Sequence, residues 1–343
     1  MPKTDLFKPL IAEKNFHPIF AMLLQDRYAA EREVLKNWAD GFVDRDGKFV
    51  QEFQNTFESS MWELYVYAAL RRLSMEIDFS YHTPDFVVTR PLEMLVEATI
   101  ASPAEGGKPA FGYSALDIPN DFNEFNREAI LRICNSFDSK IKRFRNYYST
   151  LLHTKDRPFV IAIGAFDRPL AHLAGNRSII AALYGIYFDE QETIARDSDR
   201  VISYNIESAR KSNEVDIQVG LFCDKRYAEV SAVIYSATAT WGKLRALAEG
   251  SGSGTIFQTY HPNADSLLPK MRTAIKTDYR EDLMDGLYVL HNPFATHPLS
   301  DQQIDHPRIA SVRISASGEL LVDMPDDFLL LRMLHTVRVR GKS

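Results

Sequence analysis

Three carboxylates, Glu63, Asp85 and Glu97, have the types and spacing to do chemistry in this sequence. Asp85 follows a proline and opens the apolar run Phe86-Val87-Val88, while Glu97 stands in Val96-Glu97-Ala98-Thr99. A hairpin turning through Arg90-Pro91-Leu92 sets Thr89 against Glu93, and the same register sets Asp85 opposite Glu97. Their β-carbons would then lie roughly 5 Å apart. Carboxylates that close repel each other unless a cation or a shared proton compensates. A hard divalent ion such as Mg²⁺, held by one or two carboxylates and water, suits the pair, and Mn²⁺ could replace it. Glu63 is the only charged residue in Met61-Trp62-Glu63-Leu64-Tyr65-Val66-Tyr67-Ala68-Ala69-Leu70. A carboxylate in such a segment needs a partner, and a metal site shared with the hairpin would be one.

These acids need elements to hold them. Phe53, Phe57, Met61, Leu64 and Ala68 recur at three- and four-residue spacing, which predicts a helix over 51–73. Extended runs follow over 76–81, 85–89 and 93–100. Leu95 alternates onto the same face as Glu97, so that face is not simply solvent. Residues 101–122, rich in Gly, Pro and Ser, read as a long loop with a functional role. A second helix carries the stripe Ile130, Ile133, Phe137, Ile141, Phe144, Tyr148 and Leu151. Phe159-Val160-Ile161-Ala162-Ile163 then reads as a strand buried on both faces.

The order is helix with Glu, strand with Pro-Asp, strand with Glu-x-Thr, helix, apolar strand. It resembles the αβββαβ core of the PD-(D/E)XK, or restriction-endonuclease-like, nuclease superfamily over about residues 51–165. The resemblance implies that Asp85 and Glu97 bind the metal, that Glu63 assists, and that a lysine two places after the second acid positions the attacking water. Thr99 occupies that lysine slot. Some members take the missing lysine from the following helix, and here the helical wheel discriminates. Lys140 lies roughly 60° from the centre of the stripe, whereas Lys142 lies near 140° and should point to solvent. Lys140 is therefore the expected substitute, with Thr99 a minor hydrogen-bond donor.

The remaining sequence sets the frame. The 343 residues are 45% hydrophobic and 25% charged, with a formal net charge of −6, which argues against non-specific coating of nucleic acid. No apolar stretch reaches the roughly 18 residues of a membrane helix. Met1-Pro2-Lys3-Thr4-Asp5 has no secretory character, and Cys134 and Cys223 read as reduced, buried thiols, so a cytoplasmic protein is expected. The expected fold class is α/β: a mixed helical segment over 1–50 with its clearest helix over 20–38, a nuclease-like core over 51–184, and an α+β extension over 185–343 that could continue the core sheet. Strand-like runs in the extension lie near 215–222, 228–235, 286–290, 308–314 and 319–322, with a flexible loop over 250–254. Weaker candidates are the pair His291 and His297, the loop Lys108-Pro109-Ala110-Phe111-Gly112-Tyr113 as a base-stacking surface, and the basic tail Arg338, Arg340 and Lys342. The expected activity is Mg²⁺-dependent hydrolysis of nucleic-acid phosphodiesters, DNA rather than RNA, with a homodimer left open. An inert nuclease-like binding protein and a Mg²⁺ enzyme acting on a small phosphate ester are the alternatives.

Overall fold

The computed structural model describes residues 5–210, 216–250, 254–300 and 303–336. Residues 1–4, most of the loop over 250–254 and the tail with Arg338, Arg340 and Lys342 therefore lie outside the described residues, as does Val215.

The helix predicted over 51–73 is two helices. The labelled helices are α1 (Pro18–Leu23), α2 (Ala29–Trp38), α3 (Phe49–Asn55), α4 (Phe57–Arg72), α5 (Phe122–Asn146), α6 (Arg177–Tyr184) and α7 (Trp241–Leu247). Thr56 separates α3 from α4 with φ −126° and ψ 52°. Its hydroxyl donates to the Glu52 carbonyl at 3.0 Å, a local bond that competes with helix continuation. Phe53 and Phe57 still meet across the break, with ring centroids 5.1 Å apart, so apolar periodicity alone could not reveal it.

The strands of the two larger sheets are β1 (Glu76–Ile77), β2 (Phe86–Arg90), β3 (Met94–Ala101), β4 (Phe159–Ala165), β5 (Ala232–Ser236), β6 (Thr255–His261), β7 (Lys270–Ile275), β8 (Tyr288–His291), β9 (Ala310–Ile314), β10 (Leu320–Asp323) and β11 (Leu331–Thr336). Eight of them form one mixed sheet in the order β1-β2-β3-β4-β5-β8-β9-β10. The run β3-β4-β5 is parallel, as is the pair β8-β9, and the other neighbours are antiparallel. The chain after residue 185 thus continues the sheet begun by β1–β4. A smaller antiparallel sheet has the order β7-β6-β11.

Alternation along the strands divides the core into two layers. Phe86, Val88, Met94 and Val96 pack with Phe20, Leu35, Phe53 and Met61 of α1–α4. Val87, Leu95, Ile161 and Ile163 face Ile133, Phe137 and Ile141 of α5 and Ile179 of α6. The result is an α/β fold with a large mixed sheet covered by helices on both faces. Trp62 ties α4 to the sheet by donating its indole N–H to the Ala162 carbonyl at 3.0 Å. Gly164 makes room for it, since a Cβ there would stand 2.9 Å from the Trp62 ring.

Four further expectations change, the first being the helix expected over 20–38, which is divided into α1 and α2 by a 3-10 turn at Asp26–Tyr28. The strand predicted over 76–81 ends at Ile77, and the run near 215–222 pairs only over Asp216–Gln218, with Ser208–Arg210. Cys134 is buried, but Cys223 is exposed, because its amide closes a turn onto the Gly220 carbonyl at the surface. No helix among the described residues is long and apolar enough to cross a membrane.

Candidate active site

The β2–β3 register pairs Phe86 with Val96, Val87 with Leu95 and Val88 with Met94, the pairing expected from the turn. One step further, Asp85 and Glu97 meet at the end of the ladder and exchange side-chain for backbone bonds. The Ala98 amide donates to Asp85 Oδ2 at 2.7 Å, and the Asp85 amide donates to Glu97 Oε2 at 3.3 Å. Glu97, fully buried on the α5 face, is where the helix contributes. Lys140 Nζ lies 2.7 Å from Glu97 Oε1, so the lysine singled out on the helical wheel reaches the sheet acid. Lys142 instead points outward and pairs with Asp138.

Tyr148, expected with Leu151 on the helical stripe, instead lies past the end of α5 at Asn146, in a 3-10 turn over Tyr148–Thr150, and supplies a further donor. Its hydroxyl lies 3.0 Å from both carboxylate oxygens of Glu97, and the Arg143 guanidinium sits 5.3 Å from its ring centroid. A buried tyrosine hydroxyl needs a hydrogen-bond partner, and that was the available signal. Arg45, which no periodicity marks, donates to the Tyr81 and Pro84 carbonyls at 2.9 and 3.0 Å. Its guanidinium stands 3.9 Å from Asp85 Oδ1, outside hydrogen-bond reach.

In front of these residues lies a cleft of about 580 Å³ lined by Glu63, Asp85, Thr99 and Lys140. Glu52 and Glu58, brought in by the α3–α4 break, line it as well. Glu63 is half-buried on α4, and among the described residues its carboxylate makes no hydrogen bond or ion pair. Burial, followed by the charge of Asp85, raises its pKa well above the usual carboxylate range. Burial and then the Glu97 charge push the Asp85 carboxyl up to about 7, against the opposing pull of Lys140, the Ala98 amide and Arg45. The cleft is rich in acid and short of positive charge.

The sequence-predicted residues thus converge: Asp85, Glu97 and Lys140 by direct or one-residue-removed bonds, Glu63 and Thr99 as walls of the same cleft. Among the described residues, no three His, Cys, Asp or Glu side chains gather closely enough to hold a metal ion by themselves. Any ion here would rest on one or two carboxylates and water, the manner in which Mg²⁺ is commonly held. The weaker candidates lie apart. His291 ends β8, His297 faces Asp156 at 3.9 Å, and Lys108 is paired with Asp117 at 2.7 Å. Comparisons of the chain with protein-family models, curated proteins and solved structures gave no match.

Proposed function

We propose that this chain is a Mg²⁺-dependent nuclease with a restriction-endonuclease-like core, acting on nucleic-acid phosphodiesters, DNA in preference to RNA. The element order α4, β1–β3, α5, β4 supports the core assignment. The observation that carries the reading is the ammonium of Lys140, 2.7 Å from Glu97 beside the under-compensated Asp85 and Glu63. The donors fit a hard cation, because Asp85 and Glu63 offer carboxyl oxygens at the cleft whose ionised forms burial and mutual repulsion disfavour, so a cation that displaces their protons relieves both. Asp85 and Glu97 would hold the ion, with Glu63 assisting. When bound, Mg²⁺ supplies Lewis-acid polarisation of water and phosphoryl oxygens.

The chain's own groups do the rest. Glu97 aims the Lys140 ammonium, a fixed donor at the cleft wall that can orient an attacking water or stabilise a developing oxyanion. The Thr99 hydroxyl is a weaker donor on the same cleft wall. Tyr148 and the Asp85 amide fix both oxygens of Glu97, so its orientation does not depend on substrate. Glu52 and Glu58 line the cleft as well, Glu58 with His17 beside it, and their charges oppose a bare phosphate, which makes catalysis conditional on a cation.

Nicking of supercoiled plasmid in Mg²⁺ and in EDTA, beside Glu97→Gln, tests the reading. Nicking that needs Mg²⁺ or Mn²⁺ and falls at least about 1,000-fold in the variant is expected, since the change removes both a ligand and the lysine's partner. Activity on p-nitrophenyl phosphate without nicking would favour a small-ester enzyme. Inactivity on both substrates would favour an inert fold.

A further inference from the structure

A second cavity, of about 420 Å³, lies next to the acidic cleft, and Glu58 lines both. Every charged group on its wall already has a partner. Arg168 pairs with Glu128 and Asp167, Arg245 with Glu31, Arg332 with Glu281, and Glu58 with His17. An ionic ligand would lose hydration here and meet no free countercharge, so the cavity selects against charge. The rest of the wall is mostly apolar and aromatic. Phe111 and Tyr113 come from the long loop, Phe166 follows β4, and Trp241 begins α7.

One polar ring stands among these walls. His172 lines the cavity beside Tyr113, with ring centroids 6.0 Å apart and planes tilted by 47°. The side chain is partly buried, and its ring nitrogens have no hydrogen-bond partner among the described residues. Burial, followed by the charge of Arg332, holds the imidazole down at about 4, so it is neutral at physiological pH. A neutral imidazole presents one N–H donor and one bare nitrogen acceptor. The walls therefore favour a flat, uncharged ring, and His172 favours one with a polar edge.

We propose that this cavity receives an unpaired nucleobase, stacked on the aromatic wall with its polar edge on His172, while the sugar and phosphate stay outside. Among flat polar rings, the choice of a base rests on the nuclease reading, because Glu58 puts the cavity beside the cleft where a strand would be cut. Every base has a face that can stack on an aromatic side chain. The volume falls in the range of small-molecule sites. A base reaches such a cavity only when it has left the duplex stack, so the substrate is single-stranded or distorted at that position.

Calorimetric titration of the full chain in EDTA with adenosine, guanosine, cytidine and thymidine, and with their 5′-monophosphates, tests the idea. EDTA keeps this test independent of cleavage in the neighbouring cleft. At least one nucleoside should bind at millimolar concentration or below, and its monophosphate should gain no more than about 2-fold, because the wall offers no free cation. Tyr113→Ala should weaken binding about 10-fold. Tyr113 is 44% exposed, so that variant should keep its fold. His172→Phe keeps a ring and removes the nitrogens, so differences among the four nucleosides should shrink to about 2-fold or less. No nucleoside bound at its solubility limit, a monophosphate bound about 10-fold more tightly than its nucleoside, full affinity in Tyr113→Ala, or unchanged discrimination in His172→Phe would overturn the proposal. Plasmid nicking by a chain that binds no nucleoside would sink this proposal alone. Nucleoside binding by a chain that never nicks would support the base pocket and sink the nuclease reading.

Discussion

Around Glu281, two buried cations reach one carboxylate. Lys243 Nζ and Arg332 Nη1 each lie 2.5 Å from Glu281 Oε1, and the Tyr279 hydroxyl donates to Oε2 at 2.5 Å. Lys243 is further tied to the Asp282 and Asp285 carbonyls. Burial works against the Glu281 charge, yet Arg332 and Lys243 prevail and hold its pKa below the usual range. Around Glu97 the balance is inverted. Three acids share one hydrogen-bonded ammonium, that of Lys140, and Asp85 and Glu63 are pushed up instead of down. The first cluster is compensated by groups the chain itself provides, so it holds β11, α7 and the segment around Glu281 together. In the second, Arg45 and Arg143 approach Asp85 and Glu97 only to 3.9 Å and Glu63 has no ion-pair partner among the described residues, so a cation from solution has something to gain there. Burial is common to both, and compensation separates them.

Removing one charge from each cluster should therefore have opposite consequences. Glu281→Gln leaves Lys243 and Arg332 buried without a countercharge, and a loss of about 3–5 kcal/mol is expected from urea unfolding. Asp85→Asn removes a repelled, partly desolvated carboxylate and should leave stability within about 1 kcal/mol of wild type or raise it. Comparable losses in the two variants would break the contrast.

pH sharpens it. In EDTA the folded Asp85 carboxyl, at about 7, binds its proton more tightly than the unfolded one at 3.8. Between these values the native state holds the extra proton, so stability falls as pH rises through the window. The melting temperature of wild type relative to Asp85→Asn should accordingly drop from about pH 4 to about pH 7. Millimolar Mg²⁺ should flatten that drop by supplying the missing charge. A difference curve that is flat in EDTA would count against the acid-rich cleft.

The next effect is kinetic. Lys140→Ala should lower cleavage by on the order of 100-fold, as for loss of one positioned electrostatic donor. Lys142→Ala, whose partner Asp138 lies on the outer helix face, should stay near wild type. Thr99→Lys in the Lys140→Ala background should recover part of the loss, because position 99 lines the same cleft. Equal, mild effects of both lysine substitutions would remove Lys140 from the mechanism while leaving the acids in place.

That lysine shows how much the sequence could carry. A 25-residue helix with a clean stripe fixes the direction of each side chain, so Lys140 and Lys142 could be told apart without coordinates. The hairpin was equally legible, because the short turn through Arg90-Pro91-Leu92 leaves one register. The Thr56 break was hidden, since Phe53 and Phe57 keep their spacing across it, and with it the arrival of Glu52 and Glu58 at the cleft. The smaller sheet was hidden for another reason. The inward residues of β6 are Thr255, Phe257, Thr259 and His261, a face whose burial hydropathy does not announce. Tyr148 was seen but misjudged, because the apolar spacing runs on past Asn146, where α5 ends, and says nothing of a hydroxyl.

The smallest expected effect belongs to that hydroxyl. Tyr148→Phe keeps the ring in its buried place and removes only the donor to Glu97. Glu97 retains Lys140 and the Asp85 amide, so the carboxylate is loosened and not orphaned. A hydrogen bond to a charged group contributes roughly 1.5–3 kcal/mol, and the surviving donors should absorb part of it, leaving about 1 kcal/mol of lost stability. A purely structural tyrosine would change melting and nothing else. A tyrosine that positions Glu97 should also raise the Mg²⁺ concentration needed for half-maximal cleavage, by about 10-fold or less, with the rate at saturating Mg²⁺ nearly unchanged. An unaltered Mg²⁺ dependence alongside lowered stability would confine Tyr148 to packing and leave Lys140 and the Asp85 amide to hold Glu97.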